Sequence, residues 1–277
     1  MLLRRKANQR QLTICLEKLG SQVTEQGGYW TLSGVAVDYP SRQSERWFRY
    51  KWRRLGLAVR ILKWAPYVRM VAATNTVADR TAKRDSDIDV LIVIEHGRLY
   101  LGRLIVTVLL HLTGLRRHGQ KVANRICLSF FVSTAGQDLS GIRFQPYDIY
   151  LAYWVSELQP VLADGQTHQD FLTANRWVAP FVPHYHEGPE ATSRPDWSAR
   201  LGERIFNTYL GDRLEQRVAA WQQARIRVNQ DRQDPDVLIV ATDRMLKFHE
   251  KERRRVYRDQ WEELMKSAGE NPRRILD

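Results

Sequence analysis

A chain of 277 residues that is 43% apolar and 10% aromatic has enough material for one large domain or two ordinary ones with a sizeable core, which excludes a disordered chain. Forty-three Lys and Arg against 31 Asp and Glu leave a formal charge of +12, which favours polyanionic partners such as RNA, DNA or an anionic membrane surface; the plainer reading is a surface that only keeps the protein soluble. The two cysteines, Cys15 and Cys127, have neither metal-ligand spacing nor a disulfide framework, and the opening MLLRRKANQRQ lacks the apolar stretch of a secretion signal, so a cytoplasmic protein is expected.

In chain order, Leu12, Cys15, Leu16 and Leu19 fall at helical spacing, and the alternating stretch YWTL at 29–32 follows Gly27-Gly28. A helix followed by a β wing suggests a winged-helix-like segment over 1–38; a short α/β appendage with no DNA contact is the equal alternative. Residues 39–66 read as a basic connecting helix between Pro40 and Pro66, with Phe48, Trp52, Leu55, Val59 and Leu62 forming an apolar stripe. Arg46, Arg49, Arg53 and Arg60 gather on another face. With Trp47 and Tyr50 interleaved, that face is either solvated or laid along a phosphate backbone, and Trp47 and Trp52 are its candidate base-stacking residues.

Residues 67–145 alternate strand, loop, strand, helix, strand: YVRMVAA, a polar loop, DVLIVI, a helix at about 98–113, and RICLSFFV. Val90 to Ile94 is apolar without alternation, as expected of a strand covered on both faces. The apolar stretch 99–115 contains Arg103 and His111, so a buried helix is expected there, with contact to a membrane through the basic flank Arg116-Arg117 as the weaker alternative. Residues 146–277 read as a mainly helical domain, with periodic segments at 147–162, 167–178, 197–225 and 244–266 and one strand-like interruption, VLIVA, at 237–241. Trp154, Trp177 and Trp221 are expected in the core, and the HEKERRRVYRDQWEEL helix as an exposed, salt-bridged one. His184 and His186 are spaced to hold a metal but lack an evident third ligand, and His249 reads as a packing or hydrogen-bonding residue at a helix start. The chain contains no Ser-His-Asp order, CxxC pair, P-loop or GxGxxG, which removes the usual support for hydrolase, zinc-ribbon, ATPase and dehydrogenase functions.

The chemistry concentrates in TNTVADRTAKRDSDIDVLIVI, residues 74–94. Residues two apart on a strand point to the same side, so Asp87 and Asp89 project together. Two like charges that close repel unless a cation sits between them, and a hard ion such as Mg²⁺ takes one or two carboxylates while leaving other positions to water and phosphate. Upstream, a tight turn at Thr74, Asn75 and Thr76 would present backbone N–H groups and hydroxyls to a phosphate.

VAATNTVADRTAKRDSDIDVLIV resembles the signature of the polymerase β nucleotidyltransferase superfamily: an apolar strand, Gly-Ser, about ten residues, then Asp-x-Asp on an apolar strand. GGYWTLSG, PYVRMVAATNTVA, DSDIDVLIVIEHGRLYLGRL, NRICLSFFV, ANRWVAPFVP and MLKFHEKERR further resemble a bacterial group with a nucleotidyltransferase domain, a winged-helix-like N-terminal segment and a helical tail. The resemblance implies an α+β fold with a nucleotidyltransferase-type mixed sheet at 67–145. It also implies transfer of a nucleoside monophosphate from a nucleoside triphosphate to a hydroxyl on RNA, a protein or a small molecule. Asp87 and Asp89 would hold Mg²⁺ or Mn²⁺; Thr74, Asn75 and Thr76 would bind phosphates, and Lys83 and Arg84 would neutralise the leaving pyrophosphate. Two departures point to a second reading. Asn75-Thr76 replaces Gly-Ser, and the strand 126–132 carries no third acid, leaving only Asp138 and Asp148 beyond it. A degenerate nucleotidyltransferase fold that binds nucleic acid or scaffolds a protein partner is therefore the alternative.

Overall fold

The computed structural model describes residues 8–26, 29–34, 42–183, 185, 190–230, 239–248, 254–267, 269 and 271; His184, His186 and His249 lie outside the described residues. The N-terminal part consists of α1 (Gln9–Lys18), capped by the Asn8 side chain, and a hairpin of β1 (Val23–Gln26) and β2 (Tyr29–Leu32), as the spacing predicts. Nothing in α1 is buried.

The remaining strands are β3 (Val68–Ala73), β4 (Ile88–Ile94), β5 (Ile126–Ser133), β6 (Gln159–Ala163), β7 (Ile239–Ala241) and β8 (Met245–Phe248). They form one mixed sheet in the order β6-β3-β4-β5-β8-β7, in which only β4 and β5 are parallel. The uninterrupted apolar run of β4 has the predicted cause. Ile88, Val90, Ile92 and Ile94 pack on one face with α2 (Arg42–Leu62), α4 (Leu99–Leu112) and α8 (Tyr209–Gln230). Leu91 and Val93 pack on the other with α5 (Ile149–Ser156), α6 (Gly165–Ala174) and α9 (Arg254–Ser267). The short helix α3 (Asn75–Ala78) follows β3, and α7 (Trp197–Phe206) precedes α8.

Several expectations change. Segment 147–162 is a helix only as far as Ser156; QPVLA becomes β6 because the free edge of β3 supplies backbone partners that a helix end would lack. MLKF likewise becomes β8, pairing with β5 instead of opening the last helix. That helix, α9, carries the expected Arg258–Glu262 and Lys266–Glu262 pairs but also buries Arg254, Trp261 and Met265. Trp221 is 50% exposed beneath the Arg225 guanidinium, so it is not core. The α2 stripe behaves as predicted, and Trp52 belongs to it. Its ring lies 5.5 Å from Phe48, partly buried against the core. Helix α4 packs on one face of the sheet, and among the described residues no helix is long and apolar enough to cross a membrane. Its first turn has no side-chain cap of its own. The Glu215 carboxylate on α8 accepts from the N–H groups of Tyr100 and Leu101 at 3.0 and 2.8 Å.

Candidate functional site

Where β4 and β5 begin side by side, Asp89 is paired in register with Cys127. The next pairing, Leu91 with Phe130, leaves one extra residue on β5. This bulge opens the ladder beside the acids, as bulges at sites commonly do. Asp87 immediately precedes β4. One ligand atom from each of Asp87, Asp89 and Cys127 lies within 4.8 Å of the others, and no other such group of three occurs among the described residues.

Asn75 takes φ +51°, the left-handed backbone that the turn after β3 requires and that Asn tolerates best among residues with a side chain. Its side-chain amide bridges two residues of the site. Nδ2 donates to Asp89 Oδ2 at 2.9 Å, and Oδ1 accepts from Trp154 Nε1 at 2.9 Å. Trp154, predicted as core, therefore packs against the second face and also orients the residue that holds Asp89.

The loop after α4 completes the site. Gly114, at φ +66°, ends the helix, and the N–H groups of Leu115 and Arg116 both return to Leu110 O. The Arg117 N–H then donates to Ile126 O at 2.9 Å, which fixes its backbone beside β5. Arg117 Nη1 donates to Asp87 Oδ2 at 2.7 Å and to Cys127 Sγ at 3.7 Å. Asp87, Asp89, Asn75, Cys127 and Ser129 share a cleft of about 560 Å³ with Arg103, Arg116, Arg117 and His118. Arg103 donates to Gln222 Oε1 and lies 4.8 Å above the Phe248 ring; burial lowers its pKa to about 10, so it stays a cation at neutral pH.

Burial, then the neighbouring Asp87, raises the pKa of Asp89, while the Asn75 amide and Arg117 act the other way. Burial, then Asp89, pushes the Cys127 thiol up to about 12, so it keeps its proton at neutral pH. The donor set fits a hard divalent cation in part. The two carboxylates suit Mg²⁺ or Mn²⁺, whereas a protonated thiol is a poor ligand for either. Neither expected substitute for the third acid reaches the site. Asp138 accepts from the Ser140 N–H in its own loop, and Asp148 pairs with Arg254.

Of the residues anticipated for phosphate binding, only Asn75 lines the cleft. Thr74 is buried, its N–H donating to Asp89 O at 3.1 Å, so it supports the strand. Thr76, Lys83 and Arg84 are outside the cleft lining; Lys83 and Arg84 are exposed, and Lys83 O closes the turn to Ser86. On α2, Arg46, Arg49, Arg53 and Arg60 are exposed, with Arg49 paired to Glu45 at 2.8 Å and Trp47 half-buried beside Arg46. Arg103, Arg116, Arg117 and His118 were not anticipated as site residues. The signal for two of them was the pair Arg116-Arg117 just after a helix-ending Gly114 and just before the strand next to the acids. The chain matches no model of a known protein family and no curated protein.

One expected outcome concerns pH. The folded-state pKa of Asp89 is raised, so folding is favoured by this group below its unfolded pKa and that contribution is lost as pH rises through the folded value. In EDTA at pH 7, Asp89→Asn should therefore melt higher than the wild type, with the gap closing as pH falls toward ~4. Thermal melts over a pH series check this; a variant that melts lower than the wild type at every pH would refute it.

Proposed function

We propose that the cleft binds a nucleoside triphosphate with one divalent cation, Mg²⁺ or Mn²⁺, held by Asp87 and Asp89, and that the protein transfers a nucleoside monophosphate to a hydroxyl acceptor, RNA first among the candidates. The observation that carries this reading is the pair of adjacent carboxylates inside a cleft that also contains three arginines. A chelated triphosphate needs both signs of charge at close quarters: carboxylates for the metal and cations for the phosphate oxygens. Support also comes from the chain order. A strand, a turn at Asn75-Thr76 where the signature has Gly-Ser, and an apolar strand that follows Asp87 and carries Asp89, within a mixed sheet, are consistent with what the polymerase β resemblance implies. A divalent cation held by Asp87 and Asp89 would supply positive charge to neutralise the leaving pyrophosphate. The residues of this chain do the holding: Asn75 and Trp154 orient Asp89, and the connection from α4 to β5 brings Arg116 and Arg117 to the cleft.

The test is transfer from each of the four α-labelled nucleoside triphosphates, with Mg²⁺ or Mn²⁺, into mixed cellular RNA and into the protein itself. Wild type should transfer label, and the Asp87→Asn/Asp89→Asn double variant should fall to background. Label transfer that is equal in both proteins would remove these carboxylates from the chemistry.

A second reading rests on Cys127. The position beside Asp89 holds a thiol instead of a third acid, so the metal that would activate the attacking hydroxyl lacks a ligand among the described residues. On that reading the fold binds nucleic acid, through the exposed arginines of α2, or scaffolds a partner, without transfer. RNA binding that is unchanged by Asp87→Asn, falls steeply with salt and is accompanied by no label transfer would select it.

A further inference from the structure

We propose that Arg117 is an exchangeable partner of Asp87: it neutralises that carboxylate in the metal-free protein and passes to the triphosphate when a divalent cation takes its place. The inference rests on the nucleotide reading above and assigns the residue that couples its two ligands.

Arg117 Nη1 is 2.7 Å from Asp87 Oδ2 and 3.7 Å from Cys127 Sγ, so a single guanidinium nitrogen contacts two of the three side chains whose ligand atoms cluster within 4.8 Å. A guanidinium and a divalent cation compete for Asp87, because each neutralises the same carboxylate. Both side chains are partly accessible. The Arg117 side chain is 33% exposed and that of Asp87 16%, and the backbone of Arg117 stays tied to Ile126 O while the side chain swings. The cleft of about 560 Å³ gives it room, and the planar fork of an arginine matches two phosphate oxygens at once. Arg103 is less suited to the exchange, since its guanidinium is engaged by Gln222 and stacked on Phe248.

The exchange predicts effects of opposite sign, which a purely structural arginine would not produce. Full-length wild type, Arg117→Ala and Arg117→Lys are titrated calorimetrically with Mn²⁺ alone and with a preformed one-to-one complex of Mn²⁺ and inorganic triphosphate, a probe with no base requirement. Arg117→Ala should bind Mn²⁺ about three- to tenfold tighter, because Asp87 has lost its competing cation, and the complex about tenfold weaker, because the fork is gone. Mn²⁺ affinity that is unchanged or weaker in Arg117→Ala, with wild type binding both ligands, overturns the inference and leaves the proposed function standing. A wild type that binds neither ligand overturns both. If Arg117→Ala does not fold by circular dichroism, Arg117→Lys decides. Mn²⁺ affinity within about twofold of wild type with the complex at least about threefold weaker supports the exchange, and any other pattern overturns it.

Discussion

Asp148→Ala is expected to lower folding stability by about 3–5 kcal/mol, measured by urea unfolding at pH 7. The Asp148 side chain is 1% exposed and faces Arg254, which is 5% exposed, with Oδ2 accepting from Nη1 at 2.8 Å. The same carboxylate accepts from the Phe144 N–H at 3.2 Å and caps α5 through the Leu151 N–H at 2.9 Å. Arg254 is held on three sides, by Asp148, by Ile142 O at 2.9 Å and by the Phe144 ring 4.2 Å from its centre, so it cannot follow a lost partner into water without tearing α9 from α5. Removing the carboxylate takes from a buried cation the anion that faces it and leaves a helix start uncapped, and both losses lower stability. Asp148→Asn keeps an acceptor for the cap and should cost less than Asp148→Ala. A loss below about 1 kcal/mol for the alanine variant would mean that the pair is solvated and that this end of the molecule is held by packing alone.

Lys51→Met is expected to cost about 2–3 kcal/mol and to loosen the cleft. Lys51 is fully buried on α2, and burial lowers its pKa while Asp87 and Asp85 act the other way. Its ammonium donates to Ser86 O and, at 2.7 Å, to Asn124 Oδ1. Those two acceptors belong to the loop that presents Asp87 and to the loop that returns from Arg117 to β5. The loops are joined by Asn124 N–H to Ser86 O at 2.9 Å and Ile88 N–H to Arg125 O at 2.8 Å. Arg54, one turn further along α2, adds a bond to Asn124 O at 2.7 Å. A methionine fills the space but donates nothing, so Asn124 Oδ1 loses this donor and Ser86 O keeps only the bond from the Asn124 N–H. Hydrogen exchange should accelerate at Asn124 and Ile88 ahead of the β4 centre, and label transfer should fall even at temperatures where the variant is folded. Exchange that is unchanged at those two amides would show that α2 does not brace the site.

Much of what bears on the site was readable from neighbouring residues in the chain. The two-residue period of a strand places Asp87 and Asp89 together. The unbroken run from Val90 to Ile94 predicts the central strand, and the three- to four-residue spacing from Phe48 to Leu62 predicts the face that α2 buries. Asn75 could be named as the residue for a left-handed turn because that preference is local to one residue.

Other features depended on partners distant in sequence. QPVLA and MLKF are too short for their period to separate strand from helix, and their state was settled by the edges of β3 and β5 that lacked hydrogen-bond partners. The same dependence put Trp221 half in solvent, although it lies in a helical pattern with apolar neighbours. In the cleft, the parallel pairing of β4 with β5 set Cys127 beside Asp89, and the return of the chain after α4 set Arg117 against Asp87, thirty positions away in sequence. Local spacing determined which residues share a face; the pairing of strands and the path of the connecting loop decided which faces meet, because those depend on backbone hydrogen bonds and burial that only the assembled sheet supplies.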